Sequence, residues 1–192
     1  TRAIDPVELE HGRMAQMSGG QVPEPPTAID GLIYVTLQEL ATRISHRNTG
    51  ESIKGHDRVG YDIMRRVAID ENHHFIFYRD MAQAAIEIDP SQAVEAMHRQ
   101  VVGFAMPGEG IPGFKTHAKT IASAGIYDLA AHYEQILEPI VMRFWGLPEL
   151  EGLTPAAEEA RDATVRYIEK SARVASRLSE RRDAAKASLV DA

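Results

Sequence analysis

The stretch from residue 57 to residue 88 contains no proline and carries apolar side chains at helical spacing. These side chains recur three, four or seven positions apart around its centre, as on one face of an α-helix: Met64, Val67, Phe75 and Tyr78. The pattern predicts a long helix with one face turned toward a protein interior. Glu71 and His74 fall on that same face, one helical turn apart.

Glu71 and His74 form a Glu-x-x-His pair on this predicted inward face. An ionised carboxylate that faces the interior of a helix bundle is costly unless it is paired or bound to a metal. The pair is therefore a hypothesis for two ligands of an iron or manganese site. The alternative is chance, because a glutamate and a histidine three apart occur on many solvated helix faces.

The composition limits the classes of function. A chain of 192 residues suits one domain with a substantial core, and its formal net charge of -7 does not favour nucleic acid. The absence of cysteine excludes disulfides, thiolate metal sites, iron–sulfur clusters and cysteine nucleophiles, and it fits a reducing compartment. The sequence has no apolar run long enough to cross a bilayer, so we expect a soluble, cytoplasmic protein.

The remaining pattern predicts an all-α fold. Helices are expected at about 6–18, 28–47, 90–104, 114–123, 128–145 and from 155 almost to the end, with a charged tail at about 178–192. Proline and glycine place loops at about 21–27 and 106–113, and Asn48-Thr49-Gly50 is expected to end the second helix. No segment shows convincing strand alternation.

Two further helices carry candidate ligands. Glu8 and His11 repeat the Glu-x-x-His spacing on a partly apolar face, although a glutamate is favoured in a first turn by the helix dipole alone. Glu39 also lies on a partly apolar face, where the alternative is an ordinary ion pair with Arg43 four residues on.

Three segments together resemble a known family. They are Thr1-Arg2-Ala3 followed by Glu8-Leu9-Glu10-His11-Gly12, then Tyr34 to Thr49 with Gln38-Glu39 and Thr42, then Ala68-Ile69-Asp70-Glu71-Asn72-His73-His74. Their order and spacing resemble the soluble acyl-[acyl-carrier-protein] desaturases, which are ferritin-like diiron enzymes, and most of all their actinobacterial members. The second half of the chain matches only weakly.

The resemblance implies a set of site residues. Glu8, His11, Glu39, Glu71 and His74 match metal ligands, and Asp70 matches an acid that orients a ligand histidine. Thr42 matches a hydroxyl on the oxygen-binding side of the metals, where it could relay a proton; the alternative is a packing threonine. Glu95 and His98 have the same spacing, but the family has no ligand there, so we interpret this pair as chance.

The family pattern is incomplete here. Val7, Leu9 and Glu10 replace three residues of the family's usual Glu-Glu-Asn-Arg-His-Gly run, and the second lone glutamate ligand lies upstream of the position that matches Thr1. We therefore expect residues 1–192 to form most of one ferritin-like domain without its N-terminal part, so that the isolated chain need not be active.

The resemblance also implies an activity in fatty acid biosynthesis, the O2-dependent introduction of a double bond into an acyl chain. Two irons, electrons from a ferredoxin, acyl carrier protein as the substrate carrier and a homodimer are expected. Arg65, Arg66 and Arg99 are candidates for docking the acidic carrier, with solvated helix faces as the alternative. Two other functions stay open: a different ferritin-like metal protein, and a helical binding subunit that has lost its metal site.

Overall fold

Helices account for almost all of the structure, which is a computed structural model. It describes residues 5–19, 25–106 and 113–190. Side chains are described as far as Glu180, except at positions 16 and 19. The helices are α1 (Pro6–Gly19), α2 (Ala28–Ile53), α3 (Arg58–Ile88), α4 (Pro90–Val102), α5 (Phe114–Ser123), α6 (Leu129–His132), a π-helix (Tyr133–Phe144), a 3-10 turn (Leu147–Glu149) and α7 (Pro155–Val190). These described ranges contain no strand, which confirms the predicted all-α fold.

A hairpin of the two long helices α2 and α3 forms the centre of the bundle. The short turn between them brings α3 back antiparallel along α2. Helix α4 and the π-helix pack against this hairpin, and α7 packs against α4 and the π-helix. Asp57 caps the start of α3 by accepting a hydrogen bond from Gly60 N, as the predicted boundary requires. The core between these helices is closed by fully buried aliphatic side chains, among them Ile33, Leu37, Met97, Ile136, Leu137 and Ile168.

The predicted end of α2 at Asn48-Thr49-Gly50 is wrong, because the helix continues to Ile53. Gly50 is buried against α3, and a Cβ at this position would lie 3.1 Å from Met64 Cβ. Asn48 donates a side-chain hydrogen bond to Ile126 O at 2.8 Å. Glycine and asparagine have low helix propensity, which is why the sequence predicts that the helix ends here. In the structure Gly50 permits close helix packing, and the hydrogen bond of Asn48 connects α2 to a loop.

Replacing Gly50 by leucine is expected to destabilise the chain by about 1–3 kcal/mol, because the side chain has to enter the packed α2–α3 contact. The matched control is Gly12→Leu, since a Cβ at Gly12 in α1 meets nothing within 4 Å. Urea unfolding of both variants checks this. If both variants lose the same unfolding free energy, or if Gly50→Leu loses none, the α2–α3 contact does not restrict the size of the side chain at position 50.

The segment predicted as an amphipathic α-helix at 128–145 is mostly π-helical. Pro139 lies inside it and has no N–H to donate, and Trp145 N bonds to Ile140 O five residues back at 2.8 Å. The wider turn changes which side chains share a face. Ile136, Leu137 and Val141 are fully buried. An α-helical period would place Leu129 and Phe144 on the same side, but they are 38% and 44% exposed.

A buried acid anchors α2 to α4. The side chain of Asp30 is fully buried and accepts two hydrogen bonds from Arg99, at 2.9 and 2.8 Å, and one from Gln100 at 2.8 Å. Thr27, the cap of α2, donates a further hydrogen bond to it at 2.7 Å. The hydrogen bonds from the guanidinium of Arg99 lower the pKa of Asp30 to about 2. Burial acts in the opposite direction but has the smaller effect.

The two ends of the chain differ in packing. Every described side chain of α1 is exposed. At the other end, the backbone of α7 continues to Val190, and Ser179 Oγ lies 3.2 Å from Glu134 Oε1 on the π-helix. Across the helices that the structure describes, none is long and apolar enough to cross a membrane.

Candidate metal centre

Two carboxylates and one imidazole converge where α2 and α3 cross. Glu39 of α2, Glu71 of α3 and His74 of α3 each offer a ligand atom, and these atoms all lie within 4.8 Å of one another. His74 Nδ1 is 3.3 Å from Glu71 Oε2 and 3.4 Å from Glu39 Oε2. The convergence follows from the antiparallel hairpin, because position 39 of one helix faces position 71 of the other.

The electrostatics of this cluster favour a cation. Burial, and then the hydrogen bond and charge of Glu71, raise the pKa of Glu39 to about 7. The hydrogen bond to Glu71, supported by the charge of Glu39, raises the pKa of His74. Two carboxylates this close cannot both stay ionised without a compensating positive charge. A divalent metal would supply that charge, and carboxylate and imidazole ligands suit iron and manganese; the residues present therefore fit a metal.

The cluster is open on one side. The side chains of Glu39 and Glu71 are only 16% and 18% exposed, as an inward face predicts, but that of His74 is 57% exposed. The outer face of α3 beside His74 is apolar and also open, with Phe77 59% and Met81 45% exposed. The carboxylates thus lie against the hairpin interior, and the histidine lies at its rim.

His46 also contacts this cluster and was missed by the sequence prediction. Its Nε2 atom lies 3.5 Å from Glu71 Oε1, on the side away from His74 Nδ1, which contacts Oε2. A signal was present in the sequence, since His46 follows Glu39 by seven residues and so shares its helix face. An imidazole in contact with a ligand carboxylate can fix the direction in which that carboxylate points.

Glu8 and His11 are not part of the convergent group. Both lie on α1, where they are exposed, and among the described residues only Glu39, Glu71 and His74 bring their ligand atoms together. Their role as ligands stays a prediction.

The third pair, Glu95 and His98, is not grouped as a metal site among the described residues either. His98 Nδ1 lies 3.0 Å from Thr164 Oγ1, which donates its own proton to Ala160 O. His98 thus connects α4 to α7. This contact is compatible with the interpretation that the Glu-x-x-His spacing of Glu95 and His98 arose by chance.

Thr42 and Asp70 lie close to the cluster in sequence, but their side chains bond to groups outside it. The hydroxyl of Thr42 donates within its own helix, to Glu39 O at 2.9 Å and Gln38 O at 3.2 Å. Asp70 is exposed and pairs with Arg66 at 3.6 Å. A proton relay by Thr42 requires its hydroxyl to leave these backbone oxygens, and the orienting role of Asp70 requires it to leave Arg66.

The three arginines predicted to dock a partner have different environments. Arg65 is exposed and has no ion pair among the residues that the structure describes. Arg66 is exposed and holds Asp70. Arg99 is bound to the buried Asp30, so its contacts are structural.

A carboxylate–histidine group held by two antiparallel helices of an all-α bundle defines the class as a helical bundle with a candidate metal site. The model of one family, described as fatty acid desaturase, matches residues 1–191. This chain therefore belongs to the fatty acid desaturase family.

Individual relatives agree with this assignment. The chain is 38% identical over 170 residues to DesA1 of Mycobacterium tuberculosis, a provisionally assigned acyl-[acyl-carrier-protein] desaturase, covering 84% of this chain and 49% of the relative. It is 32% identical over 176 residues to the chloroplastic acyl-[acyl-carrier-protein] desaturase 7 of rice, Oryza sativa, covering 85% and 42%. It is also 32% identical over 158 residues to the chloroplastic stearoyl-[acyl-carrier-protein] 9-desaturase 6 of Arabidopsis thaliana, covering 79% and 40%. The chain thus spans about half the length, or less, of these curated relatives.

Proposed function

We propose that this chain forms the metal-binding part of an acyl-[acyl-carrier-protein] desaturase, which introduces a double bond into an acyl chain with O2. The observation that carries the proposal is the convergence of Glu39, Glu71 and His74 on one hairpin, with ligand atoms within 4.8 Å, in a chain of the fatty acid desaturase family. The names of the relatives support the acyl substrate and its carrier.

Glu39, Glu71 and His74 would hold iron. When bound, two irons supply the oxidising power to remove hydrogens from an unactivated carbon chain, which no protein side chain can do. Glu8 and His11 are proposed as a second Glu-x-x-His pair, because a complete site of this type takes such a pair from each of two helices. The apolar face of α3 beside His74, with Phe77 and Met81 exposed, is where α1 would have to pack to bring them in.

The other residues have positioning and proton roles in this proposal. His46 holds Glu71 by its second oxygen and so fixes the direction of the carboxylate. Thr42 lies one turn after Glu39, and its hydroxyl passes a proton once it leaves its backbone acceptors. Asp70 precedes Glu71 and, released from Arg66, would orient a ligand histidine.

The partners follow from the same proposal. Acyl carrier protein delivers the substrate, a ferredoxin supplies electrons, and the enzyme acts as a homodimer in the cytoplasm. Arg65 and Arg66 on α3 are the proposed docking residues for the acidic carrier, since both are exposed.

The test is desaturation of stearoyl-[acyl-carrier-protein] by the protein in its natural length, loaded anaerobically with ferrous iron and supplied with ferredoxin and O2. Mass spectrometry of the released acyl chains is expected to show loss of two hydrogens, and the loss should disappear without iron. Full iron loading with no unsaturated product from acyl carriers of several chain lengths would exclude the desaturase and leave a different metal protein. No bound iron would leave a helical binding protein.

A further inference from the structure

A second site lies between the C-terminal half of α2 and the first half of α3. It is an open groove with a cavity volume of about 310 Å³, called here the arginine groove. The residues that line it include three arginines, Arg43 and Arg47 of α2 and Arg65 of α3, together with Tyr61, Ala68 and Ile69 of α3. Three arginine side chains therefore line one cavity of a chain whose formal net charge is -7.

These arginines are not neutralised by the residues around them. Arg43 is half-buried, yet the described part of the chain gives it neither an ion pair nor a hydrogen bond, and Arg65 is likewise without an acidic partner there. Among the residues that the structure describes, Arg47 bonds to two neutral side chains, Asn48 at 3.3 Å and Gln135 at 2.9 Å. The acid of the groove lining, Glu51, is exposed and pairs with Lys54 at 3.4 Å.

An unpaired cation at this position has an energetic cost. Burial, and then the neighbouring positive charge of Arg47, lower the pKa of Arg43, although an arginine remains charged at neutral pH. Half-buried guanidinium groups are usually paired or bound to an anion. The groove thus contains positive charge that an external anion would compensate.

The residues that line the groove indicate the chemistry of that anion. Guanidinium groups bind carboxylate and phosphate through paired N–H donors, and a phosphate has enough oxygens to accept from more than two arginines at once. A single inorganic ion would leave the wall of Tyr61, Ala68 and Ile69 uncovered. A phosphate that carries a short organic group would fill both parts.

We propose that the arginine groove binds the phosphate of a small organic phosphate ester, with Arg43, Arg47 and Arg65 on the phosphate and the organic group against Tyr61, Ala68 and Ile69. The site does not depend on the proposed metal centre. It does adjoin it, because Arg43 lies four residues after Glu39 and Asn72, another lining residue, follows Glu71. A bound phosphate ester would therefore lie within about one or two helical turns of the metal ligands.

The test titrates n-butyl phosphate, inorganic phosphate and butyrate into the metal-free, isotopically labelled chain and follows the arginine Nε–H resonances. Saturable shifts are expected at Arg43, Arg47 and Arg65 but not at Arg143, which is exposed and paired with Glu138 on the π-helix. Binding should be tightest for n-butyl phosphate. Arg43→Gln should weaken it by about tenfold or more, and the matched control Arg143→Gln should leave it unchanged.

Two outcomes would overturn the proposal. Linear shifts that include Arg143, or equal weakening by the Arg43→Gln and Arg143→Gln variants, would indicate adventitious attraction of anions to a basic surface. Saturable binding of butyrate that is as tight as that of n-butyl phosphate would show a carboxylate site instead. Thermal unfolding of each variant establishes that it is folded, and Arg43→Lys, which keeps the charge but not the paired donors, is expected to bind with intermediate affinity.

Discussion

Replacing Glu71 by glutamine is expected to weaken ferrous iron binding by about 100-fold or more. Loss of residues that merely orient metal ligands costs 10–100-fold in affinity, and Glu71 is proposed as a ligand itself. It also contacts both His74 and His46, so its carboxylate is central to the cluster. Anaerobic equilibrium dialysis with iron analysis measures the effect. Glu95→Gln is the matched control, because Glu95 has the same Glu-x-x-His spacing but lies outside the group.

The same variant has a readout that needs no metal. Burial and Glu71 together raise the pKa of Glu39 to about 7, so removing the Glu71 charge should lower the pKa of Glu39 part of the way toward its ordinary value of 4.5. Carbon-detected titration of the Glu39 carboxyl group by NMR reports this. An unchanged pKa of Glu39, together with unchanged iron affinity, would show that the two carboxylates do not form one site.

Replacing Asp30 by asparagine is expected to lower the free energy of unfolding by about 3–5 kcal/mol. The change leaves the guanidinium of Arg99 without its buried counter-charge, and breaking a buried pair by removing one partner costs this much. The matched control is Asp162→Asn, since Asp162 pairs with Arg161 at 3.0 Å but is 55% exposed, and such pairs contribute under about 1 kcal/mol. Urea unfolding of both variants checks the difference; similar losses would contradict the role of burial.

Asp30 also predicts a pH dependence. Its pKa is depressed from 3.8 to about 2 in the folded chain, so the unfolded chain binds the proton more readily. The stabilisation is therefore complete above about pH 4 and is lost as the pH falls toward 2, by roughly 2 kcal/mol in total. Acid unfolding of the Asp30→Asn variant should lack this part of the loss. An identical acid dependence in the two proteins would contradict the assignment.

Local patterns were enough to predict the fold class and the pair of Glu71 and His74. The Glu-x-x-His spacing and the apolar stripe of α3 depend on neighbours within two helical turns, and the resemblance added Glu39. The helix starts at Asp57 and Asp89 were also predictable, because a capping side chain and a proline act on the adjacent turn.

The missed features depend on contacts between distant segments. The pair of Asp30 and Arg99 joins residues 69 positions apart, and Gly50 lies inside a helix at a point where α3 packs closely against it. The contact of His46 with Glu71 requires the register of α2 against α3. The π-helix requires a change of hydrogen-bond pattern around Pro139 that an apolar period of 3.6 does not contain.

Glu39, Glu71 and His74 are proposed as ligands of one metal. Anomalous diffraction at the iron edge, from crystals of the chain grown anaerobically with ferrous iron, locates that metal. We expect an anomalous peak within about 2.0–2.2 Å of carboxylate oxygens of Glu39 and Glu71 and of Nδ1 of His74, the usual distance for such metal ligands. A crystal saturated with iron that shows no peak between these side chains would contradict it.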